Sequence, residues 1–246
     1  MEDFEQETRN RIAANGENRK LQDDANAFVA SSLESQYSYN FSWLGRPIIQ
    51  YPQDILAMQE IIWSIQPDLI IETGIAHGGS LLLSASMLEL NASCGGPQDA
   101  RVVGVDIDIR KHNKIAIEEH PMSKRIDMIE GSSVAPEVVE QVRTLASERQ
   151  TVLVCLDSNH THDHVLAELE VYAPLTTLSS YCIVFDTIVE DFSECGPSDR
   201  PWSKGNNPMT AMREYLKNHP EFLIDKSINS KLLISAAPDG YLKRIA

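Results

Sequence analysis

The 246-residue chain is short of cysteine, of basic side chains and of long apolar runs. Its four cysteines, Cys94, Cys155, Cys182 and Cys195, show no CxxC spacing, which argues against a zinc module or a redox dithiol; structural disulfides are not expected. Cys155 and Cys182 stand inside apolar, strand-like runs, where a thiol behaves as a small core residue. Only 21 lysines and arginines face 36 acidic residues, for a formal net charge of −15. A surface of that sign repels phosphate backbones and anionic lipid, so neither nucleic acid nor a membrane surface is an expected partner. No apolar run approaches the roughly 18 residues that a membrane span requires. The start, MEDFEQETRNRIAANGENRK, is acidic and polar where a secretory leader has a basic start and an apolar stretch, and a cytoplasmic location is expected.

What is present is enough apolar sequence, 42% of residues, for one sizeable core. Residues 1–40 lack a strong apolar period and read as an arm, or as a helix that packs on a partner. A single domain is expected over residues 41–246. Within it, Pro52 and Asp54 open a helix with Ile55, Met58, Ile61, Ile62 and Ile65 on one face, and Pro67 stops it. The runs LIIETG, RVVGVDID, IDMIEGS, TVLVCLD and YCIVFDT then alternate with helices through LLLSASMLEL, around Lys111 to Glu119, over Pro136 to Ser147 and over Asp163 to Tyr172. Short, near-continuous apolar strands separated by helices indicate a parallel sheet covered on both faces. After a helix over Pro208 to His219, EFLIDKS and KLLISAAPDGYLKRI are so closely connected that they predict an antiparallel hairpin. The expected fold is α/β: a doubly wound, mostly parallel, seven-stranded Rossmann-like sheet with a C-terminal antiparallel hairpin. That is the architecture of class I methyltransferases, which bind S-adenosylmethionine.

In such a sheet a ligand sits beyond the carboxyl ends of the strands. The first strand ends in Glu72, Thr73 and Gly74, and the turn runs through Gly78 and Gly79 to Ser80 at a helix start. Glycines there admit a ligand close to the backbone, or serve packing alone. The second strand ends in Asp106, which can accept both hydroxyls of a ribose or cap a helix. The absence of GxGxxG and a Glu72-to-Asp106 spacing longer than the usual 20 or so residues count against a nicotinamide cofactor. Ser132 and Ser133, ending the third strand, can meet an adenine edge or cap the next helix. Asp157 and Asp186 end the next two strands, and carboxylates at adjacent strand ends favour a hard cation such as Mg²⁺. The alternative is that both cap helices. His160, three residues past Asp157, is the candidate general base, since imidazole titrates near neutral pH. The connection IVEDFSECGPSDRPWSKGN has the composition of a lid, in which Glu190 and Asp191 can add a metal oxygen and Trp202 can wall an acceptor pocket.

The run His160-Thr-His162-Asp163-His164 invites comparison with the HxHxDH of metallo-β-lactamase-type hydrolases, but is one residue too short. A non-haem iron site of two histidines and a carboxylate usually belongs to a β-barrel, not to a parallel sheet.

The segments WLGRPIIQYPQDILAMQEIIWSIQPDLIIETGIAHGGSLL, VVGVDIDIR, LDSNHTHDHV, VFDTIVED, RPW and APDGYLKR together resemble the cephalosporin hydroxylase family, from about residue 41 to the C-terminus. Despite its name, that family has a class I methyltransferase fold, and its best-known member takes part in installing the methoxy group of cephamycins. It is similar to metal-dependent catechol-type and sugar O-methyltransferases. The resemblance implies that Glu72, Gly74, Gly78 and Ser80 form the cofactor turn and that Asp106 holds the ribose. It implies that Asp157 and Asp186 are Mg²⁺ ligands, Asp157 also facing the cofactor, and that His160 occupies the offset of the catechol enzymes' catalytic lysine. It places Trp43, Gly45 and Arg46 on the other wall of the pocket. Two departures stand out. Phe185 replaces the first acid of the cephamycin enzyme's pair, and Thr187 replaces the asparagine of the catechol enzymes; Glu190 is then the candidate third ligand. The expected function is S-adenosylmethionine-dependent, Mg²⁺-assisted O-methylation of a small-molecule or sugar hydroxyl by a homo-oligomer. The alternatives are a catalytically inactive cofactor-binding or oligomer-forming partner, and a hydroxylase as the family name suggests.

Overall fold

Valine, isoleucine and leucine crowd four runs that are buried on both faces or nearly so, and such runs persist only under a double cover of helices. The computed structural model, which describes residues 2–195 and 199–246, places them side by side in one seven-stranded sheet. In chain order the elements are α1 (Glu2–Glu17), α2 (Arg19–Glu34), β1 (Phe41–Trp43), β2 (Arg46–Ile48), α3 (Pro52–Ile65), β3 (Leu69–Thr73), α4 (Gly79–Ser93) and β4 (Arg101–Asp106). They continue as α5 (Lys111–Glu118), β5 (Ile126–Glu130), α6 (Pro136–Ala146), β6 (Val152–Leu156), α7 (His162–Tyr172), β7 (Tyr181–Val184) and α8 (Val189–Phe192). The last are α9 (Pro208–Tyr215), β8 (Phe222–Ile224), α10 (Lys226–Leu232) and β9 (Tyr241–Arg244).

The sheet order is β5-β4-β3-β6-β7-β9-β8, parallel from β5 to β7. The chain winds outward from β3 in both directions, so the loops leaving β3 and β6 part and open a cleft at their carboxyl ends. Successive strand residues face opposite layers. Ile70, Leu153 and Ile183 pack with Met58, Ile62, Leu81 and Leu88 of α3 and α4. Their neighbours Ile71, Val154 and Val184 pack with Val139, Leu169 and Met212 of α6, α7 and α9.

Two expectations need correction. β8 and β9 do pair antiparallel, but not as a tight hairpin. The run KLLIS is not a strand: Asp225 accepts hydrogen bonds from the Ser227 amide and hydroxyl and starts α10, which buries Leu232 between the strands in sequence. β9 therefore inserts between β7 and β8, antiparallel to both. Residues 1–40 form two helices in place of an arm, and α1 and α2 pack on their own chain. A Cβ on Gly16 of α1 would stand 2.5 Å from Ser230 Oγ of α10, a contact through small residues that leaves no apolar stripe to read. On α2, Val29 packs with Tyr51 and Ile188, and Ser32 Oγ lies 2.7 Å from the Tyr51 hydroxyl.

The start of α3 is fixed to the sheet by a buried carboxylate. Asp54 Oδ1 accepts hydrogen bonds from Ser235 Oγ (2.6 Å) and the Tyr241 hydroxyl (2.8 Å), and Oδ2 from the Ala236 amide (2.8 Å). This anchor holds the segment before α3 against the cleft. No helix among the described residues is long and apolar enough to cross a membrane.

Candidate active site

The cleft, of about 470 Å³, opens at the carboxyl ends of β3, β6 and β7. That volume suits a cofactor-sized ligand. Its base is the turn after β3, where Gly74 adopts φ +91° and its Cα lies against the end of β6; a Cβ there would stand 2.1 Å from the Asp157 carbonyl oxygen. Gly78, at φ +84°, leads into α4. Arg46 clamps the same turn from outside, donating to the His77 carbonyl (2.9 Å) and to Asn113 Oδ1 (2.6 Å). Trp43 donates to Ser86 Oγ. Trp43, Gly45 and Arg46 do not line the cleft, and Trp43 and Arg46 brace it from outside; the wall is built by Pro47–Tyr51 and, from the N-terminal segment, by Leu33, Gln36 and Tyr39.

Glu72 is 4% exposed and accepts a hydrogen bond from the Ser80 hydroxyl. Burial pushes its pKa from an ordinary 4.5 up to about 7, and burial likewise lifts Asp54 from 3.8 to about 6. Both folded-state values lie above the unfolded ones, so the fold holds protons that the unfolded chain has released. This stabilisation is complete below about pH 4 and is lost as pH rises through 6 and 7, each group contributing on the order of 3 kcal/mol. Urea denaturation of the ligand-free protein is expected to give a higher midpoint at about pH 5 than at about pH 7.5. Glu72→Gln should flatten that difference; an unchanged pH dependence in the variant would contradict the assignment.

Asp106 holds the turn itself. Its Oδ2 accepts from the amides of Ile75 (2.8 Å) and Ala76 (3.2 Å), and its Oδ1 from that of Asp108 (3.1 Å). Three of its roughly four acceptor sites are thereby used. Ser132 accepts the Ala135 amide on its carbonyl, opening α6, and does not line the cleft.

Asp157, His160 and Asp186 offer ligand atoms within 4.8 Å of one another on the cleft floor. Among the described residues no hydrogen bond reaches the Asp157 side chain, and burial together with the neighbouring Asp186 carboxylate holds its pKa well above the usual range. Asp186 adopts φ +53°, a conformation costly for a residue with a Cβ and typical of functional turns. His160 Nε2 lies 3.2 Å from Asp186 Oδ2, and its ring stands edge-on to Trp202 with centroids 4.6 Å apart.

The structure does not bring Glu190 to this group. Its carboxylate accepts from the Gly205 amide (2.9 Å) and Asn207 Nδ2 (2.6 Å), bonds that hold its pKa down and bind the connection to the start of α9. His160 is the third member instead. Thr187 turns away to donate to the Pro238 carbonyl, and Phe185 is core. Residues 196–198 of the proposed lid lie outside the described residues. The histidine run disperses: His162 meets Thr210 and Glu214, and His164 meets Ser133, Ser158 and Glu168. Neither a dinuclear hydrolase centre nor a site of two histidines and one carboxylate is formed by these residues.

Residues 35–245 match the protein family described as rhamnosyl O-methyltransferase/CmcI. A rhamnosyl O-methyltransferase of Mycobacterium leprae is 30% identical over 225 residues, covering 88% of this chain and 90% of that protein. One of Mycobacterium tuberculosis is 28% identical over 226 residues, covering 88% and 85%. Among solved structures, a CmcI structure with Mg and SAM is similar in fold, with a TM-score of 0.60, 21% identity and coverage of 85% of this chain and 78% of that one. The apo structure of CalS11, a TDP-rhamnose 3'-O-methyltransferase, aligns with a TM-score of 0.52 at 19% identity, covering 78% of each chain. With residues 35–245 matched, the chain belongs to the rhamnosyl O-methyltransferase/CmcI family and is an O-methyltransferase by that membership.

Proposed function

We propose that this protein transfers a methyl group from S-adenosylmethionine to a hydroxyl of a sugar, with Mg²⁺ at Asp157 and Asp186. The observation that carries the reading is the convergence of Asp157, His160 and Asp186 within 4.8 Å beside the glycine turn. Two carboxylates with oxygens within 4.8 Å of each other, one of them without a hydrogen-bond donor among the described residues, form a donor set that fits a hard divalent cation. The sugar acceptor follows the named activity of the mycobacterial relatives. Trp202, which lines the cleft beside His160 with the Arg200 guanidinium over its ring, would form an aromatic wall for the acceptor.

When bound, S-adenosylmethionine supplies an electrophilic methyl group, and Mg²⁺ a charge that lowers the pKa of an acceptor hydroxyl. The protein does the rest by placement. Glu72, Ser80 and the amides around Gly74 and Gly78 shape the cofactor's seat, and the remaining acceptor site of Asp106 takes one ribose hydroxyl. A hard cation prefers oxygen, which leaves the His160 imidazole uncoordinated. With Nε2 standing 3.2 Å from the Asp186 carboxylate, Nδ1 of His160 would be the nitrogen that accepts the hydroxyl proton, and Asp186 would stabilise the imidazolium. The main contribution to rate would be the orientation that these residues impose on the acceptor hydroxyl.

The test is methyl transfer from isotopically labelled S-adenosylmethionine to a panel of rhamnosyl and related glycosides. Wild-type protein is expected to label a sugar hydroxyl. His160→Gln should be slower by about 10²-fold at neutral pH, the gap narrowing as rising pH ionises the acceptor without help. A variant with the wild-type rate and pH profile would remove His160 from the base role.

A further inference from the structure

The loop between β6 and α7, which carries His160, is held in place by side chains. Among the described residues, no backbone amide or carbonyl of residues 158–160 makes a hydrogen bond to another backbone group. Asn159 serves only the loop itself, its Oδ1 accepting from the Thr161 amide (2.9 Å) and hydroxyl (2.8 Å). The tie to the helix layer is Ser158, whose hydroxyl donates to Glu168 Oε1 at 2.6 Å and lies 3.3 Å from His164 Nε2. His164, Glu168 and Tyr172 recur every four residues along α7 and so share one face. The same face reaches the loop leaving β5: His164 Nε2 lies 3.0 Å from Ser133 Oγ, and the Tyr172 hydroxyl donates to the Ser133 carbonyl at 2.6 Å.

Glu168 is fully buried, and its Oε2 has no hydrogen-bond partner among the described residues. Its one ion-pair neighbour among them is His164, 3.5 Å from Oε1. A carboxylate so placed costs stability, a cost that proteins bear where the group sets the geometry of a site. We propose that Glu168 is a positioning residue: through the Ser158 hydroxyl it fixes residues 157–160, so that Asp157 and His160 meet Asp186 across the cleft. The proposal rests on the function proposed above. Ser158 itself lines the cleft, and its Cα would stand 3.1 Å from a Cβ on Gly74, so a shift at Ser158 moves the base and the cleft floor together.

The experiment measures methyl transfer from labelled S-adenosylmethionine to the best rhamnosyl acceptor of the panel above, with kcat counted per site that binds S-adenosylhomocysteine, so that unfolded protein drops out. Glu168→Leu frees the loop, and a displacement of about 1 Å at His160 should lower kcat by about 10²-fold. The KM for S-adenosylmethionine should stay within about twofold of wild type. Glu168→Gln, which keeps an oxygen for Ser158, should recover most of the lost rate. Ser158→Ala should match Glu168→Leu, and the double variant should be no slower than either, the mark of two residues acting through one bond. Wild-type kcat in Glu168→Leu, a Glu168→Gln protein as slow as Glu168→Leu, or losses that multiply in the double variant would each overturn the proposal. Should Glu168→Leu fail to fold, Ser158→Ala decides, and wild-type kcat in that variant overturns the proposal. A wild-type protein that labels no acceptor defeats the proposed function itself, and the role of Glu168 falls with it.

Discussion

Asp157→Ala is expected to lower methyl transfer by about 10³-fold or more, because the variant loses both a cation ligand and the fixed negative charge that orients the cation. Affinity for S-adenosylhomocysteine should change little, since the glycine turn, Glu72 and Ser80 remain. The stability of the ligand-free protein should not fall. In the native chain Asp157 is half-buried beside Asp186, with no donor on its side chain among the described residues, a repulsive arrangement that alanine relieves, as expected where a site is built for a ligand at the expense of the fold. Turnover, binding and thermal unfolding of one variant thus separate a functional acid from a structural one. Loss of stability with turnover would indicate that Asp157 holds the turn together.

Gly74→Ala should have the second largest effect, and of the opposite kind. The residue sits at φ +91°, and its Cβ would be 2.1 Å from the Asp157 carbonyl oxygen and 2.7 Å from the carbonyl carbon. Both are backbone atoms at the end of β6, so no side chain can swing aside. The left-handed conformation and the overlap together cost about 3 kcal/mol or more. Relief requires β3 and β6 to move apart at their ends, which displaces Asp157 from Asp186. The variant should therefore lose stability in urea, cofactor affinity and turnover together, whereas Asp157→Ala loses turnover alone. A stable, active Gly74→Ala protein would contradict the geometry of the turn.

Much of this site could be read from the chain because it lies at strand ends, and strand ends are marked by the switch from apolar runs to glycine and acid. Gly74, Asp157 and Asp186 follow the last buried residues of β3, β6 and β7 by one or two positions, so periodicity located them. Partner choice was less legible. Glu190 stood within reach in sequence, but its carboxylate is taken by Gly205 and Asn207, a contact that only the fold of the connection creates. Asp106 was placed at the right strand end, yet its bonds to the amides of Ile75 and Ala76 depend on how the neighbouring turn curls. The cleft wall was hidden in part because Leu33 and Tyr39 belong to a segment with no motif, brought in by tertiary packing. The same holds for α1, whose contact with α10 runs through Gly16 and Ser230. Around β9 the apolar run KLLIS looked like a strand, and Asp225 made it part of a helix instead.

The most direct test of the account is a titration of S-adenosylhomocysteine into the purified wild-type protein, run with Mg²⁺ and again with excess chelator, alongside a titration of Mg²⁺ alone. The account predicts cofactor-product binding in both conditions, and separate Mg²⁺ binding that disappears in Asp157→Ala. A protein that binds neither S-adenosylhomocysteine nor Mg²⁺ would contradict it.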